Sequence, residues 1–140
     1  MLNRHAAFNA GEVARILAPG GTFLTQQVHG LYAHDLMAAF DAKPQWPDAS
    51  LEKYVPRLNA GGLTIITEEE CVGQFSFTDV GAIVYYLKAV PWLVPGFSVA
   101  KHTDHLLALQ RHFESGADLA FTDHRYLIEA RKNCHRDCAN

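Results

Sequence analysis

The sequence predicts an α/β layer fold with a largely parallel sheet. Apolar positions at helical spacing alternate with short runs rich in Val, Ile, Thr and Phe, and the changeovers fall on Pro19-Gly20-Gly21 and Gly61-Gly62. The connections are short, which suits strands joined through crossover helices. No repeat, linker or low-complexity tract divides the 140 residues, so one domain is expected. A content of 49% hydrophobic and 19% charged residues marks the chain as globular.

The elements follow in order. Asn9 caps the first helix, with Glu12 as the return half of a capping box and Val13, Ile16 and Leu17 as its apolar face. Thr22 to Val28 is a strand. A second helical stretch runs from about Ala33 to Phe40, and the prolines of Lys43-Pro-Gln-Trp-Pro-Asp48 make a loop. Asp48 or Ser50 caps the next helix, which turns Leu51, Val55 and Leu58 inward. Pro56 predicts a kink or a late start there, since an interior proline costs about 3 kcal/mol. Leu63 to Thr67 is a strand, continued by an irregular extended segment to Phe77. Thr78-Asp79 caps a helix carrying Val80, Ile83, Val84 and Leu87. Thr103 caps another with Leu106, Leu109 and Phe113, closed by Gly116. A last strand lies around Phe121 to Arg131, and residues 133–140 read as a polar tail.

Charge and composition narrow the function. A formal net charge of −3 gives no electrostatic case for nucleic acid or an anionic membrane surface. No apolar run approaches the ~20 residues that span a bilayer. Met1-Leu-Asn-Arg-His5 lacks the apolar region of a signal peptide. Cys71, Cys134 and Cys138 are too few for a disulfide framework and suit a reducing, cytoplasmic setting.

The segment Glu12-Val-Ala-Arg-Ile-Leu-Ala-Pro-Gly-Gly-Thr-Phe-Leu24 resembles the helix, "Leu-x-Pro-Gly-Gly" turn and fifth strand of class I S-adenosylmethionine-dependent methyltransferases. Asn3-Arg-His5 matches the end of that family's fourth strand, and Gly61-Gly-Leu-Thr-Ile-Ile66 its lead into the sixth. His124 to Arg131 matches the final antiparallel strand, and Thr78 to Trp92 an insert on the substrate side. The resemblance spans residues 1 to about 132. It implies a partial Rossmann-like sheet, mostly parallel with a final antiparallel strand and helices on both faces. The family holds its cofactor with a glycine-rich turn and an acidic strand end, and no G-x-G occurs in this sequence. The chain therefore reads as the C-terminal, substrate-side half of such an enzyme. Methyl transfer to a small-molecule acceptor is the implied activity, with S-adenosylmethionine bound poorly by this chain alone. The alternative is a non-catalytic, self-associating interaction module. A strand at Thr22 whose neighbour ends at Asn3 leaves an uncovered edge, so a homo-oligomer is expected.

Ligands of open α/β sheets gather at the carboxyl ends of strands. Gln26, Gln27 and His29 lie at such an end and are candidates for substrate binding, although strand-end bonds to loops would also explain them. Neighbouring strand residues point to opposite faces, so only one glutamine points directly inward. By resemblance, Asn3 and Arg4 lie beside the cofactor, and His5 is the candidate general base. Tyr85, Tyr86, Trp92 and Phe97 form either an aromatic wall for the acceptor or plain core. His102, His105 and His112 lack a completing ligand, and no metal is expected. Cys134-His135-Arg-Asp-Cys138 lies in the tail and is not read as a structural zinc site. Glu68, Glu69 and Glu70 read as a solvated edge, or as a strand-end carboxylate meeting an acceptor amine.

Overall fold

The protein is described by a computed structural model covering residues 1–134. Its strands are β1 (Leu2–Arg4), β2 (Thr22–Val28), β3 (Leu63–Phe77) and β4 (Leu119–Lys132), and its helices are α1 (Ala10–Ile16), α2 (His34–Ala38), α3 (Leu51–Ala60), α4 (Val80–Ala89) and α5 (Thr103–Glu114). The strands form one sheet in the order β1-β2-β4-β3. Two compact units divide the chain, one made of residues 1–29, 48–71 and 125 onward, the other of residues 30–47 and 72–124.

The sheet is mixed, which corrects the expectation of a mostly parallel one. β1 runs parallel to β2, but β4 lies along β2 antiparallel, from Thr22 opposite Arg131 to Val28 opposite Arg125. Helices between strands suggest parallel pairing because parallel neighbours need a crossover. Here the strand that follows α4 and α5 enters between β2 and β3 and runs against β2.

In the first unit, one face of β2 and β4 carries Phe23, Tyr126, Ile128 and Ala130. Val13, Ala14 and Leu17, from α1 and the residue after it, and Leu58 of α3 pack into the same core. Both helices cover this one face, and the opposite face of β2 and β4 presents Leu24, Gln26, Leu127 and Glu129, all only half-buried. Asn9 caps α1 as the sequence indicates, its Oδ1 accepting from the Glu12 N–H at 3.1 Å. The Glu12 carboxylate does not complete a capping box and instead accepts from Arg15 at 2.9 Å. Ile16 is exposed and Ala14 takes its place, because Val13 and Leu17, four apart, define the buried stripe.

Gly20 has φ +74°, and a Cβ on Gly21 would lie 2.8 Å from the Ala18 carbonyl oxygen. These two glycines let the chain reverse tightly enough to extend the ladder: Gly20 N–H donates to the Lys132 carbonyl and Lys132 N–H to the Gly21 carbonyl, each at 2.9 Å. α3 starts at Leu51 and runs through Pro56 to Ala60. Ser50 holds the N-cap position without a side-chain cap bond. Its hydroxyl bonds the Glu52 carboxylate instead and lowers the pKa of that group. Asp48 pairs with Lys53 at 2.7 Å.

β1 pairs Leu2, Asn3 and Arg4 with Leu24, Thr25 and Gln26, so it covers the β2 edge over that length. β3 is one strand through Phe77, where an irregular segment was expected after Thr67.

The second unit packs Leu36, Met37 and Phe40 of α2 and its flank against Ile83, Leu87, Leu106, Leu119 and Phe121. Asp79 caps α4 by accepting from the Ala82 N–H at 2.8 Å, as the sequence indicates. Thr103 does not cap α5. His102 occupies that position, while the Thr103 hydroxyl donates back to the Val99 carbonyl at 2.8 Å, a local bond open to any Thr at a helix start.

Asp35 ties α2 to β4. Its Oδ2 accepts from the Thr122 N–H at 2.9 Å and hydroxyl at 2.8 Å, and its Oδ1 from the Leu36 N–H at 2.9 Å. The buried Ala33, at φ +50°, donates its N–H to the Thr122 carbonyl at 2.9 Å. Asp35→Ala is expected to lower the unfolding free energy by about 1–3 kcal/mol, the scale of bonds to a half-buried charged group. Urea denaturation checks it, and an unchanged midpoint would show that the clamp contributes nothing.

Candidate functional site at the carboxyl end of β2

Because β1 and β2 are parallel, their carboxyl ends lie together, and antiparallel β4 brings Arg125 opposite Val28 at the same end. Within the first unit this end gathers His5, Gln27, His29, Glu70, Arg125 and Tyr126.

Gln27 sits at the heart of a polar cluster. Its Nε2 donates to Asn3 Oδ1 at 2.6 Å, Thr25 Oγ1 at 2.8 Å and the Ala6 carbonyl at 2.9 Å. Thr25, fully buried, donates its hydroxyl to the same Asn3 oxygen at 3.0 Å. A carbonyl only accepts, so the Gln27 side chain must present its NH2 group here. Two N–H groups face three acceptors, and at least one bond is shared. The cluster joins β1 to β2 by side chains as well as by backbone, and it commits the Asn3 amide oxygen to internal bonds. Gln26, its neighbour on the strand, points to the opposite face and pairs in register with Arg4, which is exposed.

His5 has φ +50°, and its N–H donates to the Gln26 carbonyl at 2.9 Å. Arg125 donates from its terminal nitrogen to His5 Nε2 at 2.9 Å. His29, with a side chain 9% exposed, places Nε2 3.8 Å from Glu70 Oε1. It meets the Tyr126 ring edge-on at 6.2 Å. Glu70 lies within β3 and not at a strand end. Tyr126 stacks on Tyr54, and Lys53 and Arg57 both lie over the Tyr54 ring. Burial raises the Tyr126 phenol well above its ordinary pKa, with the neighbouring Tyr54 adding to the shift.

The aromatic candidates belong to the second unit and face different surroundings. The Tyr86 hydroxyl lies 2.7 Å from that of Tyr32, and its ring packs on Phe75 and Phe77. Tyr85, one step round the helix, is 78% exposed, and Trp92 is exposed as well. Phe97 packs edge-on to Phe40 and stacks on His102. His102 and His105 serve this aromatic packing, and His105 Nε2 lies 3.0 Å from Asp41 Oδ2. Of the tail cluster, Cys134 is exposed, while His135 and Cys138 lie outside the described residues.

The sequence reading placed Tyr126 on the inward face of the last strand and did not single out Thr25, Ala6 or Arg125. Arg125 was within reach: pairing the last strand against residues 22–28 places it at the carboxyl end of β2. Thr25 carries no such signal, since one Thr in an apolar strand is ordinary.

Two outcomes follow from this geometry. Gln27→Ala, which strips the cluster of its donor, should cost about 1–2 kcal/mol in chemical denaturation, and Gln26→Ala less than about 0.5 kcal/mol. Equal losses would show that the cluster has no special weight. For Tyr126, the fold holds the neutral phenol, so the folded pKa exceeds the unfolded value of about 10. Its contribution is complete below that pH and is lost as pH rises through the folded value. Near pH 11, folded wild-type protein and Tyr126→Phe should therefore show equal phenolate absorbance; one extra phenolate in the wild type would contradict this.

No family model matches the sequence, and no curated protein matches it. Solved structures do. BH2331 from Bacillus halodurans C-125, a protein assigned as a methyltransferase, is similar at TM-score 0.55 and 15% identity, over 94% of this chain and 63% of that one. A functionally unknown protein from Deinococcus radiodurans R1 is similar at TM-score 0.53 and 13% identity, over 94% of this chain and 48% of that one. The chain thus spans less than two thirds of the length of either. At these identities the likeness shows the fold alone: the chain has a class I methyltransferase-like fold.

Proposed function

We propose that this chain supplies the acceptor-side part of a class I S-adenosylmethionine-dependent methyltransferase acting on a small molecule. The observation that carries the reading is the sheet itself. Parallel β1 and β2 with an antiparallel strand inserted beside them give a fold similar to that of an assigned methyltransferase. Strand carboxyl ends are where open α/β sheets bind ligands, and here that end gathers His5, His29, Glu70 and Arg125.

The residues at this end do not fit the whole cofactor. Asn3, one of the two expected to hold it, has its amide oxygen committed to Thr25 and Gln27. Arg4 is exposed, and the sequence contains no G-x-G turn to cradle a ribose-linked group. What the chain offers is an acceptor-facing surface. The imidazole, carboxylate and guanidinium groups orient polar atoms of a small molecule, with His5 and His29 following β1 and β2, Glu70 on β3 and Arg125 on β4.

Titration calorimetry of S-adenosylmethionine into residues 1–140 tests the assignment. No saturable heat is expected at tens of micromolar, because only the acceptor side of the site is supplied. A low-micromolar dissociation constant would overturn the partial-site reading.

A further inference from the structure

A cavity of about 530 Å³ lies inside the first unit, at the opposite end of the β2–β4 ladder from the polar cluster. Its walls come from α1, the turn after α3 and the residues that end and follow β4. The register places it there. Lys132 exchanges backbone bonds with Gly20 and Gly21, before β2 begins, whereas the polar cluster sits where β2 ends. β2 has seven residues, so its two ends lie roughly 20 Å apart.

Small residues open the space. Gly11 and Ala14 line it from α1, and Gly61 and Gly62 from the turn. A Cβ on Gly61 would lie 3.2 Å from the Ala10 carbonyl oxygen, so the turn approaches α1 closely. A Cβ on Gly62, at φ +87°, would meet nothing within 4 Å, so this wall is bare backbone beside open space.

The polar side chains on the lining are donors. Lys132 Nζ donates to the Leu17 carbonyl at 2.8 Å, its one side-chain bond among the described residues. An ammonium carries three donors, and an uncharged carbonyl leaves its charge in place. Asn133 Oδ1 accepts from the Thr64 hydroxyl at 2.9 Å, which leaves the amide NH2 group to donate. Arg15 also lines the cavity, but Glu12 holds it at 2.9 Å. Among the described residues no aspartate or glutamate lines the space, so no carboxylate on the wall competes for Lys132.

We infer that this cavity binds a small organic oxyanion, a carboxylate or a phosphate ester, with Lys132 meeting its charge and Asn133 donating to it. Pockets of roughly 300–1,000 Å³ take small molecules. A bare inorganic ion would leave most of this one empty, so the ligand carries an organic body against the glycine walls. The inference does not rest on the methyltransferase reading, because no residue of the strand-end cluster lines the cavity.

The experiment is nuclear magnetic resonance on the full chain at pH 7.5, titrated separately with benzoate, phenyl phosphate and uncharged benzyl alcohol. One or both anions should shift the amide signals of Gly11, Gly61, Gly62 and Asn133 saturably, and which of them does so identifies the group. Benzyl alcohol should not. The bound anion should also slow iodoacetamide alkylation of Cys134, an exposed thiol on the lining, and leave that of Cys71 on β3 unchanged. Lys132→Gln, whose amide can still donate to Leu17, should weaken binding at least about fivefold, the difference between a charged and a neutral donor. Its amide spectrum reports whether the fold is kept. Asn133→Ala, at an exposed position, should weaken binding at least about twofold. No saturable shift with either anion, benzyl alcohol binding as tightly as they do, or a folded Lys132→Gln variant that binds like wild type would each overturn the proposal. If Lys132→Gln does not fold, an Asn133→Ala variant that binds like wild type overturns it instead. The titration needs no S-adenosylmethionine and no turnover, so its failure is distinct from a failure of the methyltransferase reading.

Discussion

The antiparallel register of β4 on β2 is the constraint on which the rest of the first unit depends. Seven consecutive residue pairs, from Thr22 with Arg131 to Val28 with Arg125, fix which side chains share a face. Side chains alternate with a period of two, so a slip of one residue would carry Tyr126, Ile128 and Ala130 away from Phe23 and expose the core. The same slip would move Arg125 away from His5. The sheet core and the polar end of the sheet are therefore set by one register. The turn at Gly20 and Gly21 pins it from the other end through its paired bonds to Lys132.

A buried hydroxyl beneath this end has to be satisfied, because an unpaired one costs on the order of 1–3 kcal/mol. Thr25 is satisfied twice, donating to Asn3 and accepting from Gln27. An aliphatic residue at position 25 would pack as well but would leave Asn3 and Gln27 with one partner fewer. The cluster is a joint between a three-residue strand and its neighbour, where three pairs of backbone residues alone give a weak ladder. The glutamines that close an otherwise apolar strand thus divide their roles: Gln27 secures the joint and Gln26 faces the half-exposed side.

Much of this was legible where local chemistry decides. The Asn9 and Asp79 caps, the extent of β2 and the inward face of α4 follow from residue types at fixed spacing. What could not be read depends on partners far apart in sequence. The direction of β4 relative to β2 is a topological fact that no local pattern states. Ser50 and Thr103 have the right side chains for caps, yet their hydroxyls find nearer acceptors in Glu52 and Val99. β3 was expected to turn irregular after Thr67, where Glu68, Glu69 and Glu70 follow its apolar residues. In the sheet order β3 is an edge strand, and charged side chains on an edge resist pairing with other chains. The aromatic wall, one of two readings beside plain core, treats consecutive tyrosines as one surface, but about 100° of helical rotation separates Tyr85 from Tyr86.

The polar end of the first unit joins groups of opposite kind, and their separation in the fold gives them distinct work. His29 lies against Glu70 and the Tyr126 ring, largely shielded from solvent. β3 brings the Glu70 carboxylate to His29, and β4 brings the Arg125 guanidinium to His5. Two histidines at neighbouring strand ends thus meet side chains of opposite charge, because two different strands flank them. The chemistry at the strand ends is in this sense written by the order of the strands.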